Sequence, residues 1–414
     1  MNKNIKLAVA GAIFAASASI ANAGIVIPAG EWTLDINGNV NSFASYTKIK
    51  SGTDAGTGAM AGVKGAGDNG DKQIGLDSGL LPSWLGFTGK TRQNDLDVEF
   101  TISMQPSSSS NDTHGDGAND TAAAVKKPFL NRQTYVSFGD KSWGSIKLGK
   151  DLGVFASDAI LNDMTLLGVG AGAASRNPNT TTLGRIGTGF IYADWKNQVA
   201  YTTPNMNGFQ ATLALTQGWN SIGSDATYSA TSTQRAGGGS AYEGKASYAF
   251  SANDVTGKVW VSGISQKIGG VVANDSTAWG ADIGANVNVA NFGLTGYYYG
   301  GEGLGITATF RDGFDNSKRA RDSDGGYVQA TYKLPTATKL GIAWGQSNLD
   351  ANDSGDAAKT AAFVKSQELW TAGLYHPLTK HVNLVAEYNN AETEGNTGTK
   401  SKVQSVSFGG ILFF

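Results

Sequence analysis

Cysteine is absent from the 414 residues, and proline occurs only 8 times. Without cysteine there is neither a disulfide framework nor a thiolate metal site. Scarce proline beside 57 glycines, with no G-X-Y period, excludes a collagen-like chain. Charge is thin too. Charged residues make up 16% and the formal net charge is −2, which leaves no basic footprint for nucleic acid. With aromatics at 10%, the composition is equally wrong for a disordered chain. Long apolar runs are also lacking. The one candidate, from Leu7 to Ile20, falls short of the ~18–20 residues that a spanning helix needs. Lys3 and Lys6 precede it, and Ala21-Asn22-Ala23 follows it. A positive start, an apolar middle and a small-x-small close predict an export signal cleaved after Ala23. The expected organisation is a signal peptide over 1–23 and one undivided domain over 24–414.

That domain alternates. Leu96, Val98, Phe100, Ile102 and Met104 are interleaved with Asp97, Glu99, Thr101 and Ser103. Leu340, Ile342 and Trp344 alternate with Lys339, Gly341 and Ala343, and the same period runs through Trp32–Asn37 and Val382–Tyr388. A period of two means half-buried strands. Only Phe155 to Leu167 hints at a helical period.

The connections alternate as well. Long polar segments occupy 49–78, 106–128, 151–194, 220–239, 301–323 and 350–365, with shorter ones at 268–276 and 395–401. Between them fall tight turns at 92–95, 139–142, 204–207, 251–254, 290–291, 335–337 and 378–380. Large loops at one end and turns at the other are the rhythm of a transmembrane antiparallel β-barrel, and the segments between number about 16, an even count. The sheet must close, because an unpaired backbone group in hydrocarbon costs several kcal/mol. The seam is expected between a strand near 31–46 and one at 402–414, which places Val406, Phe408, Gly410, Leu412 and Phe414 on one face. Trp32, Tyr46, Trp143, Trp219, Tyr297, Trp370, Tyr375 and Phe413 lie near expected strand ends, where aromatic girdles form.

Four segments carry a family resemblance. They are Pro82-Ser83-Trp84-Leu85-Gly86-Phe87-Thr88-Gly89, then Asn131–Gly139 with Trp143–Lys150, then Asn197–Pro204 with Gly208-Phe209, and the terminal Phe414. In this order they resemble the general porins of Gram-negative outer membranes, which are 16-stranded and usually trimeric. The resemblance implies an all-β barrel whose long third loop, here 151–194, folds into the lumen. It implies passive diffusion of ions and small hydrophilic solutes through a water-filled pore, with no cofactor and no enzymatic chemistry. The partners it implies are two further copies in a homotrimer, outer-membrane lipid and lipopolysaccharide, and the barrel-assembly machinery, which reads a signal similar to Phe414. In the family, acidic residues on the third loop face arginines on the wall, and their transverse field screens solutes by charge. Matched by position, Arg132 is a wall arginine, and Asp158 and Asp163 are the loop acids. Lys147 and Lys90 share inward parity and extend the basic wall, and Arg176 and Arg185 lie late in the loop.

The sequence departs from the family at three places. Trp84 stands where an arginine is frequent, Trp195 or Lys196 where another is, and Leu166–Gly170 replaces a common Pro-Glu-Phe-Gly-Gly. Either Trp84 lines the eyelet and favours aromatic solutes in a substrate-selective porin, or a register change turns it to the lipid girdle.

The other motifs read as loops. Gly168, Gly170 and Gly172 lack the strand–helix unit of a phosphate cradle. Asp68, Asp71, Asp112, Asp116 and Asp120 match no calcium-loop spacing. The mixed charges Arg311, Asp312, Asp315, Lys318, Arg319, Arg321, Asp322 and Asp324 are expected on a surface loop, either bridging lipopolysaccharide phosphates through cations or solubilising it. His114, His376 and His381 form no metal pair, and no Gly-x-Ser-x-Gly elbow supports a barrel hydrolase. A structural or adhesive barrel remains the alternative of a different class.

Overall fold

The computed structural model describes residues 24–50, 72–106, 129–171, 181–219, 240–268, 276–315, 319–352 and 363–414. The strands are β1 Ile25–Ala29, β2 Trp32–Lys50, β3 Lys72–Asp77, β4 Trp84–Gln93, β5 Leu96–Pro106, β6 Phe129–Asp140, β7 Gly144–Leu152, β8 Trp195–Thr202 and β9 Phe209–Gln217. They continue as β10 Ser240–Ala252, β11 Val255–Ile268, β12 Ser276–Val289, β13 Phe292–Glu302, β14 Asp322–Lys333, β15 Lys339–Leu349, β16 Val364–Pro377, β17 Val382–Gly395 and β18 Lys400–Phe413. Each pairs antiparallel with its neighbour, and β18 returns to pair with β2. β3 and β4 both pair with β2 and together make one barrel strand, while β1 is a short hairpin partner of the first residues of β2. The result is a closed 16-stranded antiparallel barrel.

Closure leaves no edge for hydrocarbon to strand. At the seam Gly38 N–H donates to Phe414 O at 2.7 Å, and Phe414 N–H donates to Gly38 O at 3.0 Å. Glycine is required there, since a Cβ would lie 2.3 Å from the Trp84 carbonyl and 2.8 Å from the Phe414 ring. At the turn end, two-residue hairpin loops need left-handed backbone. Asn94 and Asp95 supply it at φ 48° and 63°.

The two faces are inverted relative to a water-soluble protein. On β18, Val406, Phe408 and Leu412 are exposed whereas Ser405 and Ser407 are buried. Lipid is the outer solvent, so the apolar side of each alternating strand turns outward. Exposed aromatics gather at two levels, with Tyr46, Trp370 and Tyr388 toward the loop end and Trp143, Tyr248 and Phe292 toward the turns. Three expected girdle members are corrected here. Tyr297, Tyr375 and Phe413 are buried and face inward, while their neighbours Tyr298, Leu374 and Leu412 take the lipid side. Strand parity decides the face, and nearness to a strand end does not. Trp219 is partly buried against the inner apolar cluster. Among the described residues no helix is long and apolar enough to cross a membrane.

Candidate functional site

The described residues of the segment between β7 and β8, 153–171 and 181–194, lie against the inner face of the wall. Where a helical period was expected, it forms helix α1, Ser157–Asn162, and a 3₁₀ turn, Met164–Leu167. Buried backbone N–H groups need acceptors, and here carboxylates of the wall supply them. Glu243 on β10 accepts from Val154 N at 2.7 Å and Phe155 N at 2.8 Å. Asp282 on β12 accepts from Ala156 N at 3.2 Å, and Glu387 on β17 from Val169 N at 2.8 Å and Gly170 N at 2.9 Å. Gln329 on β14 accepts from Met164 N at 2.7 Å and donates to Asn162 O at 3.1 Å. The path ends near β3, where Leu80 N–H donates to Gly168 O at 2.9 Å. Phe155, Ile160, Phe190 and Ile191 pack against Trp260, Ile264, Tyr297 and Tyr327 of the wall.

A second segment, described over 303–315 and 319–321, closes over the first. Tyr192 N–H donates to Thr307 O at 2.9 Å, and Leu304, Phe310 and Phe314 join the same apolar cluster. Asp312, Asp315 and Arg321 are buried, which corrects the expected surface loop for these three, while Arg319 stays exposed and Arg311 half-buried. Arg321 donates to the carbonyls of Asp312 at 2.7 Å and Phe314 at 3.0 Å and sits 4.0 Å over the Phe363 ring. Asp315, fully buried, pairs with Arg319 at 3.0 Å. A chain that doubles back inside a barrel must satisfy its own carbonyls, and guanidinium groups do this with several donors at once.

The residues singled out in the sequence fall into separate small groups. Arg132 is the extra residue of a bulge where the β5–β6 register slips. Bulges re-aim side chains, and this one sends Nη1 of Arg132 to the Tyr192 hydroxyl at 3.0 Å, with the guanidinium 5.8 Å from the Trp195 ring. Asp158 pairs with Lys245 at 2.9 Å and with Lys258. Burial pushes its carboxyl up, but the two lysines more than offset this and hold its pKa below the ordinary aspartate value. Asp163 accepts from Thr165 N at 2.9 Å and lies 3.6 Å from Arg185 Nε, with both side chains fully buried. Burial outweighs these contacts and raises the Asp163 pKa. Arg185 also donates to Leu369 O at 3.0 Å and Thr371 Oγ1 at 2.9 Å, which ties the segment to β16.

Lys147 pairs with Asp151 beneath the Tyr135 ring, and Lys90 lies 3.4 Å from Glu99. The β2–β4 register is continuous through Trp84, so its side chain shares the inner face with Thr88 and Lys90 and donates to Asn37 Oδ1 at 3.3 Å. Arg132 and Asp163 therefore do not meet, and the loop acid that reaches the wall, Asp158, faces lysines. Lys3, Lys6, Ala23, Asp68, Asp71, Asp112, His114, Asp116, Asp120, Gly172, Arg176 and Lys318 lie outside the described residues.

The sequence matches the family described as Gram-negative porin over residues 8–396. The chain belongs to the Gram-negative porin family. As a porin it is an outer-membrane channel for passive diffusion. Its fold is that of the outer-membrane channel DcaP of Acinetobacter baumannii, at 17% identity and TM-score 0.65, covering 95% of this chain and 100% of that one. It also resembles OmpF of Salmonella typhi, solved in complex with daunomycin, at 12% identity and TM-score 0.57, covering 94% of this chain and 100% of that one. OmpT of Vibrio cholerae in its trimer form matches at 14% identity and TM-score 0.52, covering 92% and 99%. No curated protein sequence matches this porin.

Five residues that hold the segment were not singled out in the sequence, Glu243, Lys245, Lys258, Asp282 and Glu387, while Lys196, named there as standing at a frequent arginine position, pairs with Glu243 at 2.7 Å. Parity alone could have flagged several of them. Glu243 and Lys245 stand on the inner side of a strand whose exposed face carries Tyr242 and Tyr248. Their partners were not legible, because Lys258 and Asp158 are 100 residues apart.

Proposed function

We propose that this porin conducts through the space left between segment 153–194 and the wall, and that lysine lines that space. The observation that carries this is an asymmetry of exposure. In three pairs along the wall the cation reaches water and the acid does not: side-chain exposure is 22% for Lys147 against 8% for Asp151, and 22% for Lys245 and 28% for Lys258 against 4% for their shared partner Asp158, whereas Lys196 and Glu243 are both buried. Lys90, more exposed than Glu99, extends the same lining. Arg132 contributes at the mouth of the segment, and Asp163 with Arg185 fixes its position from behind. Trp84, on the inner face, offers a stacking surface to aromatic solutes. If Trp84→Arg left both ion selectivity and aromatic-solute flux unchanged, that role would be wrong.

The wider reading follows from the family. The porin assembles as a homotrimer, as OmpT of V. cholerae does in its trimer form. It is exported by the signal over 1–23, cleaved after Ala23, and its Phe414 is presented to the barrel-assembly machinery. It sits among outer-membrane lipid and lipopolysaccharide, and it performs no chemistry. Planar-bilayer recording on unheated protein across a salt gradient tests the core of this. Discrete steps, with triplet closures and a reversal potential on the anion side, are expected. Verified insertion without conductance would overturn the channel and favour a closed, adhesive barrel.

A further inference from the structure

A loop segment held inside a closed barrel can reach water only in the lumen. Among the described residues of the segment between β7 and β8, the acids Asp158 and Asp163 and the base Arg185 are buried. Asp194 is half-buried, but it stands at the segment's end and accepts from Trp195 N at 2.7 Å. What the rest of the segment shows to the lumen is mainly leucine. Leu161, Leu166, Leu167 and Leu183 are all half-buried. The amide among them, Asn162, is turned back to the backbone and donates to Asp158 O at 2.8 Å. Tyr192, near the end, is held by Arg132 and Trp195 through its hydroxyl.

The way the segment is held gives this face its direction. Its backbone is tied to Glu243, Asp282, Gln329 and Glu387 on β10, β12, β14 and β17. Its free side is therefore turned across the lumen toward β4–β7. There Lys90, Glu99, Ser137 and Lys147 stand opposite one another in a single cross-strand row. Each lysine of that row is more exposed than the acid it pairs with. Lys147 lies 4.5 Å from the centre of the Tyr135 ring, and Trp84 shares the inner face with Lys90. The leucines are not loose. Leu161, Leu166 and Leu183 pack at their inner ends on the apolar cluster beneath the segment, and Leu167 packs on the cluster of Phe43, Met164 and Tyr375. One side of the passage is thus apolar and preorganised, and the other is cationic.

These two sides select different parts of one solute. Apolar surface left in water is unfavourable by about 25 cal/mol for each Å² that a solute could cover. A hydrated chloride or acetate covers little of it. A cleft lined by one sign of charge concentrates the counter-ion, so an uncharged apolar solute gains nothing from the lysines. An organic anion with an apolar body uses both sides at once. We infer that the passage selects organic monoanions with an apolar body over small hydrophilic anions of the same charge. The carboxylate follows Lys90 and Lys147, and the body lies against Leu161, Leu166 and Leu167. The inference rests on the lysine-lined channel proposed above and adds the substrate class to it. It also differs from stacking on Trp84, because a leucine face asks for apolar surface and not for an aromatic ring.

The test uses the full refolded protein in planar bilayers, with potassium acetate on one side and potassium benzoate or cyclohexanecarboxylate on the other. The reversal potential gives each permeability ratio to acetate. In wild type both ratios are expected to exceed one, although both anions are larger than acetate. The triple change Leu161→Asn, Leu166→Asn, Leu167→Asn is expected to lower both about tenfold, the equivalent of losing roughly 50 Å² of apolar contact. Leu161→Asn alone is expected to move them the same way by less. The triple change to Met keeps an apolar face and is expected to keep both ratios. Ratios below one in wild type would overturn the inference, and that measurement needs no variant. Unchanged ratios in the Asn variants would overturn it as well. A preference for benzoate without one for cyclohexanecarboxylate would assign the discrimination to stacking on Trp84 and overturn the leucine face. Potassium chloride separates the two readings. Absent conductance or cation selectivity there would overturn the lysine-lined channel and this inference with it, whereas anion selectivity with ratios below one overturns this inference alone.

Discussion

The carboxylate of Asp163 and the guanidinium of Arg185 lie 3.6 Å apart with neither side chain reaching water. They belong to the same inward segment, and Arg185 continues to the wall at Leu369 and Thr371. A pair so placed acts as a rivet for the loop. Removing one partner of a buried pair leaves a charge that costs about 3–5 kcal/mol, whereas replacing both by apolar groups of similar volume is close to neutral. Arg185→Gln is therefore expected to loosen the segment and give larger, noisier single-channel steps with the barrel still folded. Asp163→Leu with Arg185→Met is expected to stay quiet. Wild-type traces from Arg185→Gln alone would count against the rivet.

Asp158 predicts a pH dependence. Its pKa in the fold is below the ordinary value because Lys245 and Lys258 outweigh its burial. A carboxyl lowered on folding stabilises fully above its unfolded pKa of about 3.9 and loses that contribution as pH falls through the lower folded value. The segment should hold to about pH 4 and release only below it. Asp158→Asn should show at neutral pH the flickering that wild type shows in stronger acid. Release of wild type near pH 6 would place the latch elsewhere.

On the proposed lining, selectivity is expected to follow the exposed lysines. Lys258→Gln removes a water-facing cation and leaves Asp158 its contact with Lys245 at 2.9 Å. The reversal potential in a salt gradient is expected to move toward cations. Arg132→Ala should move it the same way, and should also remove the cation from beside the Trp195 ring while its indole N–H keeps donating to the Tyr192 hydroxyl at 2.7 Å, seen as altered tryptophan fluorescence. An unchanged potential in both variants would take these residues off the solute path.

At the seam, Gly38→Val would drive a side chain into the Trp84 carbonyl and the Phe414 ring. Backbone cannot give way as a side chain does, so the cost should exceed the ~1–3 kcal/mol of ordinary overpacking. The compact, unheated band on gels should be lost. Gly296→Ala, where a Cβ would meet nothing within 4 Å, is the control and should assemble normally.

The sequence by itself determined the barrel. A period of two decides which side chains share a face, and alternating long and short connections decide which ends they join. Both are local properties, so β5, β15, β17 and β18 were legible from their residues. The short helix near Ser157 was legible for the same reason. It could also nominate Asp158 and Asp163 as loop acids. Tertiary structure alone decided what those acids meet. A bulge of one residue re-aims Arg132, and the closure of the barrel brings Lys245 and Lys258 beneath Asp158. The wall carboxylates Glu243, Asp282 and Glu387 take up the backbone N–H groups of a segment distant in the chain. Segment 303–321 reads as a polar surface loop because Arg, Asp and Gly dominate it. Asp312, Asp315 and Arg321 of it are buried because the barrel offers an enclosed inner face, and a charged residue is tolerated there once its donors and acceptors are paired. Which partner pairs them is set by closure of the sheet, and no local pattern encodes it.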